Sequence, residues 1–144
     1  MEQSPQFNAK IQSYLNAITG FKKIFNLDIE LLDEVQIDAI NNGKIQKFEY
    51  CVELSWKLIK QFNWLSGCLE TKSPKSAIKT FFQTGYIDEN QCETFILMIE
   101  DRNKLSYLYN EENYTIILQK LPQYLELLEL ILNIIENNNN ENKN

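Results

Sequence analysis

The segment KIQKFEYCVELSWKLIKQFNWLS, residues 44–66, decides the fold. At about 100° per residue, Ile45, Phe48, Val52, Trp56 and Ile59 fall on one helical stripe, and Cys51, Leu54, Leu58, Phe62 and Leu65 widen it around one side. Gln46, Glu49, Glu53, Lys57 and Lys60 are confined to a narrow polar wedge, on which Glu53 and Lys57 form an i,i+4 pair. The apolar arc takes roughly half of the circumference, more than a helix with one buried face needs. Such a helix is expected to be covered on two sides, by its own bundle and by a second chain. Trp56 is expected to be substantially buried, with Phe48 and Val52 beside it.

Working outward, Phe7, Ile11, Tyr14, Leu15, Ile18, Phe21 and Phe25 recur at steps of three and four, which predicts a first helix over 7–27. Residues 31–41 read as a short helical piece. The Asn41-Asn42-Gly43 that follows is either a loop or a weak point within one longer helix. Ser73-Pro74 supplies an N-cap and a first helical residue for a helix that stops at Gly85. Asp88 caps the next helix, with Gln91 as its capping-box partner. Asn110 caps a last helix running to about residue 136, which Pro122 is expected to kink or split. The expectation is therefore an all-α, four-helix-bundle-like domain with an extra short helix, one domain over 1–136. The polar, asparagine-rich residues 137–144 have no apolar area to bury and are expected to be a disordered tail.

Composition supports this class. The 144 residues include only 4 Gly and 3 Pro, and 44% are hydrophobic, enough to form a core and poor in helix breakers. The net charge of −6 disfavours free-standing nucleic-acid binding, although a small cationic patch on an acidic body is compatible with it. There is no histidine, which excludes imidazole acid–base catalysis, Ser-His-Asp and Cys-His arrangements, and histidine-containing metal sites. Cys51, Cys68 and Cys92 form no CxxC pair and read as reduced, buried thiols of a cytoplasmic protein. The first ten residues do not resemble a signal peptide, and no apolar run is long enough for a membrane span. No Gly-rich phosphate loop and no metal or cofactor motif is present.

Two kinds of residue cluster remain to be weighed for chemistry. The pairs Glu100-Asp101 and Glu111-Glu112 are sequence neighbours, which diverge by about 100° on a helix, so they read as solvated faces and not as catalytic dyads. The run EDRNKLSYLYN, residues 100–110, differs because Arg102, Ser106 and Tyr109 share one stripe if the helix continues. An arginine there is a natural fork for phosphate or carboxylate oxygens; spacing alone equally allows a structural ion pair with core-edge tyrosines.

This run resembles the RNxTSHxYN-type motif of bacterial nucleotidyltransferase substrate-binding proteins. These are relatives of the HEPN helical domains, whose ribonuclease members carry an Arg, four to six residues, then a His. Three other segments resemble that family in the same order. QKFEY at 46–50, continuing to ELSWK at 53–57, is similar to its QRFEFxxELxWK; SPKSAI at 73–78 to its SPRxxI; and TGYID at 84–88 to its xGLID. The resemblance covers roughly residues 7–133.

The resemblance implies an up-and-down bundle that forms a homodimer and pairs with a small nucleotidyltransferase encoded nearby. In related toxin–antitoxin modules the helical member is a ribonuclease, silenced when the nucleotidyltransferase attaches nucleotide to the motif tyrosine. By position, Arg102 takes the phosphate-binding role and Tyr109 that of the modifiable tyrosine, with Asn103, Ser106 and Lys47 as further substrate- or nucleotide-related residues. The family histidine is replaced by Tyr107, whose hydroxyl titrates near ~10 and is a poor general base at neutral pH. Lys47 replaces the family arginine and lacks its planar fork. The resemblance thus implies a non-catalytic binding subunit; the alternative is a HEPN-type ribonuclease toxin with a degenerate motif.

Overall fold

A computed structural model describes residues 4–107 and 110–141. It contains five helices: α1 (Pro5–Phe25), α2 (Glu34–Leu65), α3 (Pro74–Gln83), α4 (Glu89–Tyr107) and α5 (Glu111–Glu141). Local chemistry sets their starts. Ser4 accepts from the Phe7 amide and Pro5 follows it; Asp33 with Gln36 and Ser73 with Ser76 form capping boxes. Asp88 and Gln91 exchange a third such pair of bonds, and Asn110 Oδ1 accepts from the Glu112 amide at 2.8 Å.

Cross-helix bonds give the directions. Asn8 meets Asn139, Tyr14 donates to the Leu128 carbonyl at 2.7 Å, and Lys22 reaches Glu129, so α1 and α5 run antiparallel. Lys10 bonds Gln61 while Ile24 abuts Gly43, so α1 and α2 are antiparallel too. The four long helices alternate as an up-and-down bundle. Helix α2 touches every other helix, and it forms the central pair with α5; α1 and α4 flank that pair and do not touch each other among the described residues. Short α3 lies across α2 and α4. No described helix is long and apolar enough to cross a membrane.

The core confirms most of the α2 stripe: Ile45, Phe48, Cys51, Val52, Leu58, Ile59 and Phe62 are buried. Phe48 stacks on Tyr124 of α5 at 5.6 Å between ring centroids. Trp56 departs from expectation, being only half-buried. Its indole N–H donates to Glu53 Oε2 at 3.1 Å, and that bond holds the ring at the polar wedge and out of the core.

One open alternative is decided and two further expectations are corrected. Asn41-Asn42-Gly43 lies within one longer helix, because α2 runs unbroken from Glu34 to Leu65. A side chain at Gly43 would meet Ile24 Cδ1 at 2.5 Å, so glycine here admits α1 against α2. Pro122 does not split α5. It is exposed, so the hydrogen bond it cannot make is lost on the solvent-facing side of the helix. Residues 137–141 of the polar tail continue α5 as helix, past residue 136, and 142–144 lie outside the described residues. Asn139 is buried and its amide donates to Asn8 Oδ1 at 3.0 Å, so the first turn of α1 gives the asparagine run a polar partner that its composition does not reveal.

Candidate functional site

The site is built where the polar wedge of α2 crosses the second half of α4. Glu53 is its centre. Its carboxylate takes Lys57 Nζ at 3.0 Å, the Trp56 indole N–H at 3.1 Å, and Arg102 Nη2 from α4 at 3.6 Å. Burial works against the ionised form of Glu53. The hydrogen bonds from Lys57 and Trp56 and the charges of Lys57 and Arg102 outweigh it and hold the carboxyl below its ordinary range. A carboxylate so stabilised is a weak base and cannot stand in for the missing histidine.

Arg102 is half-buried, and its Nε is buried with no hydrogen-bond partner among the described residues. One edge of the guanidinium is spent on Glu53. The group keeps the planar donor set with which an oxyanion is bound.

Asp101, read from sequence as part of a solvated face, is in fact 2% exposed. It takes Lys120 Nζ at 3.3 Å and Lys104 Nζ at 3.7 Å, and the Tyr124 hydroxyl donates to it. Burial, that hydrogen bond and the charges of Asp101 and Glu100 push the Tyr124 phenol well above its ordinary value, so it stays a donor. This cluster fixes α4 on α5 and thereby sets the position of the next residue, Arg102. The signal for it was present as Lys120 and Tyr124, four apart on one face of α5. On the other side Glu100 pairs with Lys75 of α3 at 3.2 Å.

Of the residues singled out from sequence, Asn103 and Ser106 continue α4 beyond Arg102 and are not buried. Tyr107 closes α4, and Tyr109 lies outside the described residues. Lys47 is not brought to Arg102: its ammonium lies over Gly20 of α1, 3.7 Å from where a β-carbon would sit. Among the described residues no cluster of three or more Cys, Asp or Glu is placed to hold a metal ion.

Comparison with known proteins bears on this geometry. A model of the family described as nucleotidyltransferase substrate binding protein like matches residues 9–137. A Thermus thermophilus protein of known structure is 27% identical, with a TM-score of 0.74, covering 85% of this chain and 98% of its own. A tri-AMPylated HEPN toxin of Shewanella oneidensis, solved in complex with its MNT antitoxin, is 16% identical with a TM-score of 0.74, covering 93% of this chain and 98% of its own. A toxin–antitoxin structure with AMP-PNP is also 16% identical, with a TM-score of 0.75 and coverage of 92% and 99%. At that identity the last two bear on the fold alone. No curated protein matches the chain.

Proposed function

The chain belongs to the nucleotidyltransferase substrate-binding protein family, and from that premise we propose that it is the binding partner of a small nucleotidyltransferase encoded beside it. It docks that enzyme as a cytoplasmic homodimer and presents or becomes its substrate, in a pair of the toxin–antitoxin kind. The observation that carries this reading is that the α4 motif segment is ion-paired to both of its neighbours. Arg102 meets Glu53 of the α2 segment at 3.6 Å, and on the other side of α4 Glu100 meets Lys75 of the α3 segment at 3.2 Å. In support of dimerisation, α2 keeps Tyr50 exposed and Leu54 and Trp56 half-buried, apolar surface that its own bundle leaves uncovered.

The chain's part is binding and positioning. Arg102 supplies a cation that can turn from Glu53 to a phosphate oxygen, and the buried Asp101 cluster keeps it in place while it does so. Without a histidine, and with Glu53 held ionised, proton transfer at Arg102 has no competent group; that absence costs roughly 10²–10⁴ in rate for a reaction that needs it. Tyr109 is the proposed acceptor of a nucleotidyl group. The test incubates the chain with the neighbouring nucleotidyltransferase, a nucleoside triphosphate and Mg²⁺, and maps the intact-mass gain to a peptide. A gain on the 108–110 segment that disappears in Tyr109→Phe is the expected result. A gain that persists in that variant removes Tyr109 from the role.

A further inference from the structure

Both tryptophans of the chain lie in one groove along the outer face of α2. The groove encloses about 450 Å³, and its lining includes Lys10, Trp56, Lys57, Lys60, Trp64 and Glu70. Trp64 is 61% exposed, an unusual position for the largest apolar side chain. Three ammonium groups surround the two indoles. Each has only a light engagement: Lys10 on the neutral Gln61, Lys57 on Glu53 at 3.0 Å, and Lys60 on Glu70 at 4.0 Å. Such solvent-exposed pairs are worth little and exchange readily. With Arg102 at the far side of Glu53, four cations face two carboxylates along this strip, a local positive surplus on a chain of net charge −6.

We infer that this groove binds a short single-stranded nucleic acid, with bases stacked on Trp64 and Trp56 and phosphates on Lys10, Lys57 and Lys60. Flat π-faces interleaved with cations are what a strand needs and are tolerant of its sequence. A protein hot spot, by contrast, sets its aromatic anchor in a fully desolvated pocket, and here Trp64 stands 61% exposed beside lysine ammonium groups. Trp56 and Trp64 are eight residues apart, about 12 Å along the helix axis and about 80° around it. That separation suits two non-adjacent bases of an extended strand better than the two faces of one base. The inference stands on these residues and does not depend on the partnership proposed above; either can fail without the other.

Because the chain has no other tryptophan, its intrinsic fluorescence reports the groove directly. The full-length protein is titrated with hexauridylate and, separately, with hexathymidylate, which distinguishes an RNA from a DNA source. Saturable quenching by either is expected, weakening with salt with a log–log slope of about −2 for three lysines. Trp64→Ala, checked for folding by its helical signal, should weaken binding on the order of tenfold. Lys57→Gln with Lys60→Gln should halve the salt slope or more while leaving Trp64 in place. Absence of quenching by both oligomers up to millimolar concentration overturns the inference. So does binding that neither the Trp64 nor the lysine variants alter. Loss of nucleotidyltransferase co-purification in Trp64→Ala, without any oligonucleotide binding by the parent, would instead make the groove a protein contact.

Discussion

Replacing Asp101 by alanine tests whether the buried carboxylate sets the end of α4. Asp101 is 2% exposed and binds the Tyr124 hydroxyl, Lys120 and Lys104. Lys104 is half exposed, so its share is small. Lys120 is about one-third exposed and can swing to water once its partner is gone. Tyr124 cannot do so: its side chain is fully buried under Phe48, and a buried hydroxyl left unpaired costs ~1–3 kcal/mol. Adding the loss of the charge-assisted bonds to Lys120, the substitution should cost about 3 kcal/mol, at the low end of what breaking a buried pair costs. In a chain of this size that lowers Tm by roughly 10 °C. Urea unfolding followed by far-UV circular dichroism measures it. Tyr124→Phe alone should cost less, and the double variant should fall short of the sum because the two share one bond. A loss under about 1 kcal/mol in Asp101→Ala, or strict additivity with Tyr124→Phe, would refute the anchoring role.

Four other outcomes follow from the geometry. Phe48→Ala should cost ~3–5 kcal/mol, whereas the half-buried Trp56→Ala should cost about half as much or less; equal losses in urea unfolding would put Trp56 back in the core. Burial raises the Cys51 thiol from 9.0 to about 12, with Lys47 opposing. The fold therefore favours the neutral thiol: this contribution is intact below pH 9 and is lost as pH rises toward 12, so the urea midpoint should fall across that window and fall less in Cys51→Ala. Glu53 has the opposite sign, since its folded value is depressed: its contribution is present above the ordinary carboxylate range and is lost as pH falls below it. An acid limb of the urea midpoint unchanged in Glu53→Gln would contradict this. Tyr107→His restores an Arg, four residues, His spacing after Arg102, and RNA cleavage by the purified variant should appear weakly if the general acid–base is all that is missing.

The starts of α3, α4 and α5 were legible because Ser73-Pro74, Asp88 and Asn110 each carry their capping chemistry within a few residues; α1 and α2 were read from periodicity, which placed their starts at 7 and 31 and passed over the caps Ser4 and Asp33. The motif singled out Arg102, and the structure sets that residue against Glu53. What could not be read locally depended on what lay across the bundle. Asn41-Asn42-Gly43 continues a helix because α1 presses Ile24 onto Gly43. Asn139 is ordered because Asn8 meets it, and composition alone contains neither contact. Asp101 was misread for the same reason: adjacent acidic residues diverge on a helix, and only the position of α5 decides which of them is buried. The breadth of the α2 apolar arc misplaced Trp56, since periodicity counts an indole as apolar and ignores its N–H. The Lys57–Glu53 pair was foreseen; that Arg102 joins it required the α2–α4 crossing.

The central claim is the proposed partnership, and co-expression with the small nucleotidyltransferase proposed to be encoded nearby tests it most directly. An affinity tag on that enzyme alone, followed by size exclusion with light scattering, should recover a stable complex of both chains with two copies of this one, and the chain by itself should not cleave RNA. Recovery of the tagged enzyme without this chain, together with RNA cleavage by the pure chain that Arg102→Ala abolishes, would contradict the account and make the protein a ribonuclease in its own right.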